Sequence, residues 1–252
     1  MDTDNRYGLL ETQEYYLPIM DHIDMICRKH GIKYTLSDGT LIGAVRHGGF
    51  IPWDDDIDIS FDRSNYRKFM SALKKDLAPE YMVVRDLWVR RITRRDNPDK
   101  YSDPPERCID LFVFDKVPDG RIQNGLKNLT VKILQGMLKR ELTLTGLPLW
   151  QKAALSVTHF MGAFFSRKRK QRWFDRVSQA GRGTKKLARY CCSYRYISGI
   201  RYPSDMINEY TNVEFEGRKY MALKDWDTFL STDYGDYMQL PPEEKRVPKH
   251  KK

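Results

Sequence analysis

Cysteine is scarce in this 252-residue chain, and the four present (Cys27, Cys108, Cys191, Cys192) show no paired metal-ligand spacing. Adjacent Cys191 and Cys192 make a poor disulfide framework, so a reducing compartment is expected. The N-terminal stretch Met1-Asp2-Thr3-Asp4-Asn5-Arg6 has no apolar signal core, and the chain reads as cytoplasmic. Internal repeats, low-complexity segments and a clear linker are all lacking, which leaves a single domain as the simplest organisation. A Walker A loop is absent. An EF-hand loop starting at Asp54 would need Gly at its sixth position and Glu at its twelfth, where Ile59 and Asn65 stand. No nucleic-acid module is recognisable, so no nucleic-acid partner is expected.

What the chain does have is charge, and it is segregated. The net charge is +10, yet four aspartates occupy five positions between Trp53 and Ile59. A basic surface around an acidic cluster suits a polyanionic partner such as a nucleotide, a phosphorylated polymer or an anionic membrane. Folding gives no reason for the crowding, since like charges repel and aspartate is a poor strand former. If Asp54 to Ile59 is extended, Asp54, Asp56 and Asp58 line one face, while Asp55, Ile57 and Ile59 line the other. Three carboxylates on one face predict a divalent cation among them, Mg²⁺ or Mn²⁺ by their preference for carboxylate oxygen. Asp56 and Asp58, two apart on one strand, could hold two metals about 3.5–4 Å apart.

Periodicity supplies the surroundings. Apolar positions at helical spacing run from Glu11 to His30, with Pro18 expected in the first turn or at a kink. Ile32–Leu36 reads as a strand leading to a turn-prone Ser37-Asp38-Gly39-Thr40, where Gly39 and Thr40 offer backbone amides and a hydroxyl to phosphates. A short helix over Leu41–Arg46 follows, and Arg46 and His47 are candidate phosphate contacts. Asp62 or Ser64 would cap a helix with Tyr66, Phe69, Leu73 and Leu77 on its buried face. Strands are expected over 81–84, 87–92 and 108–114. In the last of these, Asp110 breaks an apolar run and is the candidate acid that completes the site, as a metal ligand or, if the site transfers a phosphoryl group to a hydroxyl, as the group that takes that hydroxyl's proton.

Helical spacing returns over 121–142 and 150–165, the second with Trp150, Ala153, Val157, Phe160 and Phe164 opposite Gln151, Lys152, Thr158 and His159. The basic run Arg167-Lys168-Arg169-Lys170 follows. The apolar part is too short to cross a membrane. It reads as a core helix with a solvated basic turn, or as a helix lying on an anionic membrane face. A hairpin centred on Gly217, a helix capped by Asp225 and a basic tail complete the chain.

The stretch Ser37-Asp-Gly-Thr-Leu-Ile-Gly-Ala-Val-Arg-His-Gly-Gly-Phe-Ile-Pro-Trp-Asp-Asp-Asp-Ile-Asp-Ile59 closely resembles the signature of the LicD family, which is related to the fukutin proteins. The resemblance extends to Ile109-Asp110-Leu111-Phe112 and to Tyr234-Gly235-Asp236-Tyr237-Met238 with Leu240-Pro241-Pro242, covering about residues 11–246. It implies an α+β, nucleotidyltransferase-like fold: a mixed sheet flanked by helices, with a helical insertion at about 121–190 and C-terminal hairpin and helix elements. It implies transfer of a phospho-alcohol, such as phosphocholine, from a CDP-activated donor to a sugar hydroxyl of a cell-surface glycan or its lipid-linked precursor. Asp56, Asp58 and Asp110 would be the catalytic, metal-holding acids, with Asp54 a further ligand or supporting acid. Gly39 and Thr40 would face the donor phosphates. Read from its own residues, Tyr234-Gly235-Asp236-Tyr237 is a turn or a segment that closes the site from the C-terminal side. The zinc-binding insertion of animal relatives has no cysteine cluster to match it, so no zinc is expected. A nucleotidyltransferase moving a nucleoside monophosphate is the alternative, since the same acids would serve. The implied location is the cytoplasm or, peripherally, the inner face of the cell membrane.

Overall fold

The structure, a computed structural model, describes residues 7–102, 106–142, 144–192 and 199–248. The N-terminal six residues, the last of the basic tail (249–252) and part of the loop before the 109–116 strand lie outside the described residues. The fold is α+β. It divides into two compact units, one built from the chain up to Asp86, from Arg90–Phe114 and from Asp205 onward, the other from Leu87–Val89 and Asp115–Ser204.

In the first unit, helix α1 (Leu10–Lys29) buries Tyr16, Ile19, Met20, Ile23, Ile26 and Cys27, one face at 3.6-residue spacing. Its end is closed by Ile32 N–H donating to Cys27 O at 2.8 Å and Gly31 N–H donating to Arg28 O at 3.2 Å. Pro18 lies inside the helix rather than in its first turn. Strand β1 is only Thr35–Leu36, and the expected turn at 37–40 is instead the start of α2 (Asp38–His47). Ser37 is its N-cap. Strand β2 (Ile57–Asp62) leads into α3 (Arg63–Asp76), whose N-terminus is capped by the Asp62 carboxylate accepting from the amides of Ser64 and Asn65. Strands β3 (Tyr81–Asp86), β4 (Val89–Arg94) and β5 (Ile109–Lys116) complete a sheet of order β1-β2-β5-β4-β3.

The sheet is mixed: β2 and β5 are parallel, while β1–β2 and β4–β5 are antiparallel. Ile57, Ile59 and Phe61 of β2, with Ile109, Leu111 and Val113 of β5, face the core, and Phe61 stacks on Phe69 of α3 at 4.8 Å. The strands β8 (Tyr210–Phe215) and β9 (Arg218–Leu223) form the C-terminal hairpin, followed by α7 (Trp226–Tyr234) capped by Asp225. Both residues of the hairpin turn, Glu216 and Gly217, have positive φ (52° and 68°), the two-residue turn whose twist suits a hairpin. Glu216 tolerates this conformation because both its ends are engaged. Its amide donates to Gly48 O, and its carboxylate accepts from Phe50 N–H, each at 2.9 Å.

The second unit contains α4 (Arg121–Leu138), α5 (Leu149–Ala163), α6 (Arg167–Gln179), the end of β5, and the short strands β6 (Lys186–Ala188) and β7 (Tyr202–Pro203). Its core gathers Val117, Val131, Leu134, Met137, Leu138 and Phe174 with Ala188 and Tyr190. Helix α5 corrects the core-helix expectation: Gly162 is its one buried residue, and its apolar side chains face outward. Among the described residues no helix is long and apolar enough to cross a membrane.

Candidate active site

The parallel pairing of β2 with β5 sets Asp58 directly beside Asp110, on strands about 4.8 Å apart. The antiparallel pairing of β4 with β5 sets Arg91 on the other side of Asp110. Asp58, Asp110 and Arg91 thus form one row across three strands. Arg91 grips Asp110 with a two-pronged fork, Nε to Oδ1 at 2.5 Å and Nη2 to Oδ2 at 3.0 Å, and its third nitrogen lies 3.5 Å from Oδ2 of buried Asp86.

The other acids lie in the approach to β2. The strand begins at Ile57, so the alternation expected from Asp54 holds only from Ile57 onward. Asp54 and Asp55 are buried and Asp56 half-buried in an irregular lead-in, where each can offer one carboxylate oxygen within 4.8 Å of the other two. Asp55, assigned by alternation to the opposite face, is therefore gathered with Asp54 and Asp56. Helix α1 holds this lead-in by its backbone. Gln13 Nε2 donates to Asp54 O at 3.0 Å, and the Tyr16 hydroxyl donates to Asp55 O at 3.0 Å.

Helix α2 brings its N-terminus to the same place. A Cβ on Gly39 would lie 2.4 Å from Asp54 Oδ2, so only glycine lets the helix approach the carboxylate this closely. The Asp58 amide donates to Thr40 Oγ1 at 2.9 Å, so buried Thr40 fastens α2 to β2. Asp38, the first residue of α2, has φ of 51°, an uncommon backbone for a residue with a side chain, and its Oδ1 accepts from the Tyr234 hydroxyl at 2.9 Å. Loss of water around Asp58, then the charges of Asp56, Asp38, Asp110 and Asp54, push its carboxyl well above the ordinary range.

Arg46 and His47 lie at the opposite end of α2 from Gly39 and Thr40. They end α2, where Arg46 Nη1 donates to the backbone oxygens of Tyr237 at 2.6 Å and Gln239 at 3.3 Å. His47 is exposed, edge-on to Trp53 at 6.4 Å, and Arg246 lies over the same Trp53 ring, 5.6 Å from its centre. Desolvation and then Arg46 lower the His47 pKa, while desolvation and then Arg246 lower that of Arg46, so the corner is electropositive. The structure thus gathers Gly39, Thr40, Asp54, Asp56, Asp58 and Asp110, and ties Arg46 to the C-terminal segment that holds Tyr237.

Sequence reasoning missed Asp38, Arg91, Asp86 and Arg246. Asp38 stood in plain view within the signature and was read only as a turn former. Arg91 and Asp86 join the row through strand pairing, which no local pattern announces. The donor set fits a hard divalent cation: it is all carboxylate oxygen, drawn together despite mutual repulsion.

The LicD/FKTN/FKRP nucleotidyltransferase-domain model matches residues 31–131, which contain every acid of this site. Lipopolysaccharide cholinephosphotransferase LicD of Haemophilus influenzae is 30% identical over 256 residues, covering 96% of each chain. The chain belongs to the LicD family. A more distant likeness is to human ribitol 5-phosphate transferase FKRP, 28% identical over 110 residues that make up 42% of this chain and 20% of that one. An uncharacterised Rickettsia prowazekii protein, RP689, is 51% identical over 98 residues, 39% of this chain and 32% of its own. This LicD-family chain is a transferase of substituted phosphate groups.

Proposed function

We propose that this protein moves a phospho-alcohol, phosphocholine being the type case, from a CDP-activated donor to a sugar hydroxyl of a cell-surface glycan or its lipid-linked precursor, in the cytoplasm. The observation that carries the reading is the row of Asp58 and Asp110 on neighbouring parallel strands, faced by the α2 N-terminus. Asp54, Asp56, Asp58 and Asp110 would hold Mg²⁺ or Mn²⁺, with Asp55 within reach of the Asp54 and Asp56 oxygens. Such a cation supplies charge neutralisation for the donor's phosphates and for the charge that develops during transfer.

The chain's own residues supply the rest. The first amides of α2, at Gly39 and Thr40, present N–H groups where phosphate oxygens would lie. Asp110, fixed in direction by the Arg91 fork, would either complete the cation's coordination or take the proton of the attacking hydroxyl. The hydroxyl oxygen forms a bond to the distal phosphorus, the bond from that phosphorus to the bridging oxygen breaks, and CMP leaves. The electropositive corner of Arg46, His47 and Arg246 beside Trp53 offers contacts for the anionic donor or acceptor.

The test is CMP release from CDP-choline with Mg²⁺ and candidate glycans, followed by mass spectrometry of the product. Phosphocholine on the acceptor and CMP in solution are expected, with turnover lost in Asp58→Ala. A nucleoside monophosphate on the acceptor would overturn this reading in favour of nucleotidyl transfer.

A further inference from the structure

Helix α5 is amphipathic in the wrong sense for a helix that closes a core. Its large apolar side chains stand in solvent: Trp150 is 66% exposed, Phe160 65% and Phe164 70%, with Leu149, Val157 and Met161 exposed beside them. At 100° per residue these six fall within about one third of the helix circumference, a single broad apolar face. The opposite side makes the helix's contacts. A Cβ on Gly162 would lie 2.4 Å from Met137 O of α4, and one on Gly136 would lie 2.2 Å from Thr158 Oγ1. Such close approach fixes which side of α5 meets α4. Lys170 of α6 locks the arrangement, its ammonium donating to Met137 O at 2.8 Å and Gly162 O at 2.9 Å. The helix cannot roll its apolar face inward without breaking these contacts.

The segment that carries this face is one-sided in charge. Residues 121–182 contain thirteen Lys or Arg and only two acids, Glu141 and Asp175, a balance of +11 that exceeds the whole chain's +10. Three residues separate α5 from α6, whose first turns expose Lys168, Arg169 and Arg172. We propose that the outer face of α5, flanked by the basic start of α6, docks on an anionic lipid bilayer, with its aromatic side chains entering the headgroup region and the cations meeting lipid phosphates. An in-plane helix of this kind joins a wide apolar face to cationic neighbours and leaves the protein peripheral. Fifteen helical residues span about 22 Å, short of the roughly 30 Å hydrocarbon core. A second copy fits poorly, because pairing the same face would bring two like-charged flanks together. No acid of the active site takes part, so the inference stands apart from the catalytic reading.

The test uses the full chain with vesicles of phosphatidylglycerol and phosphatidylcholine, and with vesicles of phosphatidylcholine alone. Co-sedimentation is expected with the anionic vesicles, at least tenfold weaker with the neutral ones, and weaker again at high salt. The double change Phe160→Ser/Phe164→Ser and the triple change Lys168→Glu/Arg169→Glu/Arg172→Glu should each reduce binding at least tenfold without lowering the melting temperature. A blue shift of tryptophan emission on vesicle binding should shrink in Trp150→Phe. Failure to bind anionic vesicles would overturn the proposal. So would association of the free protein that these substitutions abolish while vesicle binding is absent, which would assign the face to a second copy. Equal binding by the Phe160→Ser/Phe164→Ser variant would also overturn it, by excluding α5. None of these outcomes depends on which donor is used.

Discussion

Arg91 shows how much a single side chain organises here. It faces two carboxylates, Asp110 in a two-pronged contact and Asp86 at 3.5 Å, and all three side chains are less than one-fifth exposed. Removing the cation leaves two acids facing each other in a partly dry environment. Arg91→Ala should cost about 3 kcal/mol of unfolding free energy, the usual scale for breaking a buried ion pair by deleting one member. Urea denaturation would measure it. Arg91→Lys keeps the charge but not the planar fork, and should recover much of the stability while leaving turnover low, because Asp110 loses its fixed direction. Full activity in Arg91→Ala would remove the positioning role assigned to the fork.

At the scale of elements, the site is a junction between one helix end and two strand positions. Thr40 makes that junction: its hydroxyl accepts the Asp58 amide at 2.9 Å. Thr40→Val keeps the shape and strands a buried N–H, so about 1–3 kcal/mol should be lost. Thermal melts would report the loss, and kcat should fall with it, since Asp58 rides on the freed segment. The elements also mark how far the sequence could be read. Their existence and order were legible for α1, α3, β5 and the C-terminal hairpin, where apolar periodicity and turn chemistry agree. The clustering of Asp54, Asp56, Asp58 and Asp110 was legible through charge crowding and the family signature. Strand pairing was not, and with it went Arg91 and Asp86. The inside and outside of α5 were also out of reach. Periodicity says that a helix has two faces, and only its neighbours decide which one is covered. Here two close-packed glycines, Gly136 and Gly162, decided for the polar face.

For the whole molecule, opposite charges are sorted into separate places: carboxylates converge in the first unit, and cations accumulate along 121–182 of the second. Convergent carboxylates raise the free energy of the folded state, and a cation held among them would relieve that repulsion. Mg²⁺ should therefore raise the melting temperature, by about 2.7 kcal/mol of stabilisation at a hundred times its dissociation constant, and EDTA should reverse the rise. Asp58→Asn removes one charge from the crowd, so its metal-free form should melt no lower than the unsubstituted protein and should lose most of the Mg²⁺ response. Differential scanning calorimetry with and without metal reads both. An unchanged Mg²⁺ response in Asp58→Asn would exclude Asp58 as a ligand.

The hold of Glu216 on the Phe50 amide reaches across 166 residues. During synthesis, at 5–20 residues per second, the ribosome would need about 10–30 s to reach Glu216 after making Phe50. Tyr234 and Tyr237, which meet Asp38 and Arg46, emerge later still. For that interval the aspartates exist without the hairpin and helix that later brace the loop and the helix beside them. The site is among the first parts to be written and among the last to be finished, so a nascent chain that ends between residues 116 and 209 carries every acid of the candidate row and none of its C-terminal support.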